Sequence, residues 1–325
     1  MIFPSGILSA EPFEPHTLAY LTQARVFPSP LPEAAYNKML ADYDTLQDVT
    51  VWQIVYDSGG LKVTGLMVLP TNSSPIRGEV GRGAQYTPSE RTGPHPNPPP
   101  NGEGTYPVLI YNRGGSREYG KLTLYTVMRT LVPLARAGYL VFASNYRGNA
   151  GSEGREEFGG RDVDDVVNLL AVAREHPAFD RKNAFMMGHS RGGMMTALAI
   201  KHGAPVNAAI SIAGIADARE LVHYPKILEN VIKPLVPHYH EQPQHTLAER
   251  SAVLWPEKIT VPLLLLHGDA DKDVHVNDSI RLHEELKRLG HASELVVYPT
   301  GSHALVRSWD DVLARSLAWM ERYKL

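Results

Sequence analysis

Residues 184–200 read AFMMGHSRGGMMTALAI. A short apolar run, AFMM (184–187), meets Gly188-His189-Ser190-Arg191-Gly192, and Gly193 leads into helix-forming residues. The order is strand, tight turn, helix, with a serine at the turn and a glycine two positions away on each side. Glycines there let strand and helix approach closely, because no Cβ intervenes. The serine hydroxyl then projects above the end of a sheet. The N–H of Arg191, at the helix start, can face a developing negative charge. G-x-S-x-G alone is common by chance, and its flanking strand and helix are the context that the chemistry requires. His189 fills a variable position and is expected to pack or to line the site.

The pattern extends in both directions. Short apolar runs at 107–111 (PVLIY), 139–144, 207–213, 261–267 and 293–298 read as strands. Helical stretches at 121–136, 161–175, 192–200, 278–288 and 304–323 alternate with them. Continuous apolar strands separated by amphipathic helices predict a mostly parallel sheet covered on both faces. Residues 51–56 and 61–69 form a hairpin pattern across Asp57-Ser58-Gly59-Gly60 and add an antiparallel edge. Residues 1–50 read as an irregular and helical lead-in, with a helix over Pro32–Asp44. The catalytic unit is then 51–325. Residues 218–258, between two strands, suit a small helical cap over the strand ends, where open α/β sheets bind ligands.

Residues 71–105 break the pattern. They are rich in Pro, Gly, Ser and charge, and cannot bury enough apolar surface to offset ordering entropy. They read as a disordered insertion between two strands. The halves PIRGEVGRG and PHPNPPPNGEG resemble translated inverted DNA repeats.

Composition narrows the function. With 43% hydrophobic and 21% charged residues, the 325-residue chain falls within the ordinary globular range. A net charge of −3 without long single-sign blocks gives no sign of a nucleic-acid partner. No cysteine is present, which excludes disulfides, cysteine nucleophiles and thiolate metal sites. No run approaches the roughly 18 apolar residues of a membrane span, and no signal peptide is read. A cytoplasmic protein is expected, without cofactor or metal, and a homo-oligomer is compatible with the sequence. HYHEQPQH (238–245) clusters three histidines, but its proline-bounded setting reads as solvated cap rather than metal site.

A serine hydroxyl needs a base. In the α/β-hydrolase fold that this pattern predicts, the order is Ser, then Asp or Glu, then His. His303, in the loop after the last strand, is the expected base. After VPLLLLH come Asp269, Asp271 and Asp273, three candidates for one carboxylate role. His267 reads as structural, shaping the turn at Gly268.

HGDADKDV resembles the H-G-x-x-D-x-x-V segment of the prolyl oligopeptidase family of serine peptidases and esterases. RSAVLWPEKITVP and YRGNAGSEGREEFGGRDVDDVVNLL are similar to further segments of that family. The resemblance covers roughly residues 50–70 and 106–325. It implies that Asp271 is the triad carboxylate, leaving Asp269 and Asp273 as turn-formers or solvated charges. It implies a buried structural ion pair for Arg147. The strand PVLIY leads to Asn112-Arg113-Gly114-Gly115, where the fold places a second oxyanion donor, so Gly114 or Gly115 joins Arg191 there. Tyr111 is expected to pack, and Arg113 to pair with a carboxylate. Tyr224, Ile227, Ile232, Leu235 and Tyr239 form the packing face of the cap, with one or two lining the pocket.

These residues predict a serine hydrolase working through an acyl-enzyme on Ser190, with an ester or short peptide as substrate. About 50 residues precede the first hydrolase strand, too few for the β-propeller usual in the family's peptidases. A carboxylic-ester hydrolase is therefore the favoured reading. The alternative is a peptidase acting on short peptides or aminoacyl amides, and a non-catalytic binding protein is more remote.

Overall fold

The structure is a computed structural model that describes residues 3–15, 32–71 and 105–325. Most of the expected insertion, residues 72–104, lies outside the described residues, as do residues 16–31 of the lead-in. Nine described strands lie in one sheet: β1 (Ile7–Pro12), β2 (Val49–Ser58), β3 (Leu61–Pro70), β4 (Tyr106–Asn112), β5 (Leu140–Ser144), β6 (Phe179–His189), β7 (Ala208–Ile212), β8 (Leu263–Gly268) and β9 (Ser293–Tyr298). Their spatial order is β1-β2-β3-β5-β4-β6-β7-β8-β9. From β5 to β9 every pairing is parallel, while β1, β2 and β3 form the antiparallel edge. This is the α/β-hydrolase fold.

The hairpin between β2 and β3 turns on Gly59 and Gly60, both at positive φ (62° and 86°). A two-residue turn of this kind matches the strand twist, and few residues other than glycine tolerate it. The Asp57 carboxylate accepts from the Gly60 N–H at 2.7 Å. β1 corrects the sequence reading, which had only irregular and helical structure in the lead-in. Its residues ILSAEP are half-buried or exposed, so no clean alternation marks them as a strand.

Side chains alternate between two cores. Val108 and Ile110 enter one with Met186, Leu263 and Leu265. Leu109 and Tyr111 enter the other with Phe185, Met187, Leu264 and Leu266. That is the period-two signature of a sheet buried on both faces. α2 (Asp162–Arg174), α3 (Arg191–Lys201) and α4 (Asn277–Arg288) cover the first face. The second face carries α1 (Glu33–Asp44), α5 (Trp309–Arg322) and a composite helix. In the composite helix a π turn, Val127–Leu131, separates α-helical Leu124–Thr126 from Val132–Arg136. No described helix is long and apolar enough to cross a membrane.

β4 pairs with β5 on one side and β6 on the other, with Asn112 level with Gly188. The chain therefore reverses its direction of strand addition at β4. The loop after β4 and the turn after β6 meet at this switch point, where such sheets bind ligands. Between β7 and β8 the chain makes short 3-10, π and α turns, from Ala218–His223 to Pro256–Lys258.

Candidate active site

Ser190 lies between β6 and α3 with φ 59° and ψ −124°. A non-glycine residue in that region carries backbone strain. Two close approaches hold it there. A Cβ on Gly188 would fall 2.0 Å from the Gly192 carbonyl oxygen, and one on Gly192 would fall 1.9 Å from that of Asn112. Neither position admits a side chain, which is the physical content of the glycine spacing.

The Ser190 hydroxyl lies 2.9 Å from His303 Nε2. His303 Nδ1 lies 2.7 Å from Asp271 Oδ2. The other carboxylate oxygen, Oδ1, accepts from the N–H groups of Asp273 (2.8 Å) and Val274 (3.0 Å). Burial works to raise the Asp271 carboxyl, but hydrogen bonds from His267 and His303 outweigh it and hold the group well below the usual carboxylate range. Asp269 instead accepts from the Thr300 N–H at 2.6 Å and fastens the turn between the two loops. Asp273 is exposed.

His189 is held against His303. Its Nε2 lies 2.9 Å from the His303 carbonyl oxygen, and the two rings stand 4.9 Å apart. Burial, and then the charge His303 can carry, push His189 down to about 3, so it stays neutral near pH 7 and donates through Nε2–H. Arg129, in the π turn, donates to the Ala304 carbonyl at 3.1 Å and stacks 4.3 Å over Trp309. The loop bearing His303 is thus fixed from two sides.

Gly114 packs against the Ser190 turn. A Cβ on Gly114 would meet Ser190 Cβ at 3.1 Å. The backbone N–H groups of Gly114, Gly115 and Arg191 have no acceptor among the described residues. The Arg191 side chain is buried, ion-paired with Glu156 and Asp162, and donates to the Gly115 carbonyl at 2.9 Å. Glu156 also accepts from the Arg117 N–H at 2.7 Å.

Arg113 departs from expectation. It is buried and hydrogen-bonds carbonyl oxygens of Asn145, Gly114, Tyr119 and Arg117 rather than a carboxylate. The Tyr146 ring lies 4.9 Å from both Arg113 and Arg191, and its hydroxyl donates to the Arg113 carbonyl. Arg147 does form a buried pair, with Asp165 at 2.8 Å. Tyr111 packs in the core, and burial raises its hydroxyl to about 12.

In the segment between β7 and β8, Ile232 and Leu235 are buried. Tyr224 is half-buried. Burial and then the carboxylates of Asp278, Asp271 and Asp273 raise its hydroxyl above the ordinary value. His238, His240 and His245 are all exposed. Among the described residues, the one His/Asp/Glu trio with ligand atoms within 4.8 Å of one another is Asp271, Asp273 and His303. Sequence reasoning assigned no role to Glu156, Asp162 or Arg129. Glu156 and Asp162 lie within the GSEGREEFGGRD stretch, but nothing in its spacing signals a partner at Arg191.

A strained serine beside an imidazole–carboxylate pair, with free N–H groups opposite, is the arrangement of a serine hydrolase. Residues 125–324 match the sequence model of the prolyl oligopeptidase family, and the chain belongs to that family. An uncharacterized peptidase, YtmA, of Bacillus subtilis is 27% identical over 277 residues, which are 85% of this chain and 95% of that protein. A second Bacillus subtilis peptidase, YuxL, is 29% identical over 215 residues. The acylaminoacyl peptidase of Pyrococcus horikoshii superposes with TM-score 0.65 at 21% identity, over 89% of this chain and 44% of that one. The chain spans nearly all of YtmA but only 32% of YuxL and under half of the Pyrococcus horikoshii enzyme. An acetyl xylan esterase from Paenibacillus sp. R4 shares the fold at 16% identity and TM-score 0.60.

Proposed function

We propose that this serine hydrolase is a peptidase acting on short peptides or aminoacyl amides through an acyl-enzyme on Ser190. The observation that carries the mechanism is the unbroken chain of hydrogen bonds from Ser190 through His303 to Asp271. His303 Nε2 takes the hydroxyl proton as Ser190 Oγ bonds to the substrate carbonyl carbon. The carbonyl oxygen becomes an oxyanion and accepts from the N–H groups of Arg191 and Gly114. His303 then passes the proton to the leaving amine as the carbon–nitrogen bond breaks. Water repeats the sequence and releases the acid. Asp271 keeps Nδ1 protonated and stabilises the transient imidazolium.

Family membership and the kinship with YtmA over nearly its whole length support the peptide reading over the ester reading favoured on sequence. The ester reading draws no specific support, because the likeness to the xylan esterase is one of fold. The test is a parallel assay of aminoacyl and prolyl nitroanilides against short- and long-acyl nitrophenyl esters. Nitroanilide cleavage is expected, with turnover and fluorophosphonate labelling both abolished by Ser190→Ala. Efficient ester turnover with no amide cleavage would restore the ester reading. Labelling at another serine would overturn the nucleophile.

A further inference from the structure

His267 ends the apolar run of β8 and is fully buried. Its Nδ1 lies 2.7 Å from Ser279 Oγ on α4. Its Nε2 lies 3.0 Å from the Val274 carbonyl oxygen and 3.2 Å from Asp271 Oδ2. Nε2 therefore faces two acceptors and must carry a hydrogen. In the neutral ring, Nδ1 accepts from the Ser279 hydroxyl. The Nε2–H is bonded to a turn carbonyl and sits beside the carboxylate that already holds His303.

Oδ1 of Asp271 receives two backbone N–H groups, and Oδ2 meets the His303 imidazole at 2.7 Å with His267 Nε2 standing 3.2 Å away. We propose that His267 is a positioning residue for the base: a second imidazole that fixes Asp271 Oδ2 and limits the negative charge it presents to His303. The inference rests on the triad reading above. Shaping the turn accounts for the bond to Val274 alone. The close approach to Asp271 reaches the chemistry, because a carboxylate with fewer N–H dipoles beside it stabilises a neighbouring imidazolium more strongly.

The groups around the two rings are few. Asp271, Ser279 and, at longer range, Asp278 face His267. Asp271, Ser190, the His189 ring and the Asp273 carboxylate face His303, with Arg129 on the adjoining Ala304 carbonyl. A substitution at His267 alters none of these groups chemically.

The experiment compares the pH profile of kcat/KM for wild type, His267→Phe and His267→Gln. The acidic limb reports protonation of the base. In His267→Phe it should move to higher pH by about half a unit to one unit, with KM within about twofold. His267→Gln, which keeps an N–H, should bring it back toward wild type. A limb that stays fixed in a folded His267→Phe, with only Tm lowered, would make His267 purely structural. A measurement on the wild type guards against a variant that fails to fold. 15N NMR should show His267 protonated at Nε2, and that signal should shift when His303 is protonated across the acidic limb. An Nδ1-protonated ring, or a signal indifferent to that protonation, overturns the proposal. Fluorophosphonate labelling of wild-type Ser190 separates the two readings. No label sinks the triad, whereas a label with an unmoved limb sinks only the role of His267.

Discussion

Gly114 and Gly115 are indistinguishable in sequence, but a methyl group would do different things at each. At Gly115 it would fall 2.3 Å from the Tyr119 carbonyl oxygen, on a backbone with φ 69°. At Gly114 it would press on the His189 carbonyl at 3.0 Å and on Ser190 Cβ at 3.1 Å. Gly115→Ala should therefore fail as a fold, with a sharply lowered Tm. Gly114→Ala should keep a near-native Tm and lose about tenfold or more in kcat, because it crowds the oxyanion position. Thermal melts and steady-state kinetics on the pair check both outcomes. Asp271 was singled out from three neighbouring aspartates by the family resemblance, whereas Ser190 and His303 were legible because each lies in a turn or loop after a strand, a local signal. The Arg191 and Arg113 side chains were not. Fully buried cations run against composition-based expectation, and the partners of Arg191, Glu156 and Asp162, lie 35 and 29 residues away in sequence.

At the scale of elements, the segment between β5 and α2 braces the loop after β4. Glu156 binds both Arg191 and the Arg117 N–H. Glu156→Gln leaves Arg191 with Asp162 as its remaining carboxylate partner, at a cost of about 1–3 kcal/mol. Glu156→Gln should lower Tm and, in the protein that remains folded, lower kcat, since the Gly114–Gly115 loop loses its brace. Unchanged kinetics at a lowered Tm would confine Glu156 to stability. The helices and most strands were readable from their periods. The π turn at Val127–Leu131 was not, because one extra residue in a helical turn leaves composition and apolar spacing almost unaltered. Yet that turn carries Arg129, which ties the composite helix to the His303 loop.

Across the whole molecule, two buried carboxyls pull stability in opposite directions with pH. Burial above all raises Asp278 to about 6, although it accepts the N–H groups of Ala216 and Asp217. Its folded state binds the proton more tightly than the unfolded chain. Its contribution to stability should therefore rise as pH falls from about 6 to about 4, by an amount on the order of 3 kcal/mol. Asp271 is held low, so its contribution is present above about pH 4 and is lost below it. Burial of neutral His189 removes stability over the same range, so the readout is a difference: in denaturant titrations wild type should gain stability relative to Asp278→Asn as pH falls from about 6 to about 4. Topology supplies a second prediction. β3 ends beside the start of β5, and β4 starts level with it on the other side. The gap to be bridged is two strand spacings, about 10 Å. Replacing residues 72–104 by a linker of about six Gly and Ser residues should leave Tm and kcat intact, and a large loss of either would assign that segment a role.

The elbow motif is written with two free positions, and here both are occupied by residues that reach other loops. His189 holds the base loop, and Arg191 holds the loop after β4. For directed evolution this inverts the usual choice of sites. A library that randomises positions 189 and 191, normally attractive because they flank the nucleophile, should return few active clones. Productive diversity at 191 will require simultaneous variation at 156 and 162. In this hydrolase the letters that the motif leaves open are among the least negotiable in the chain.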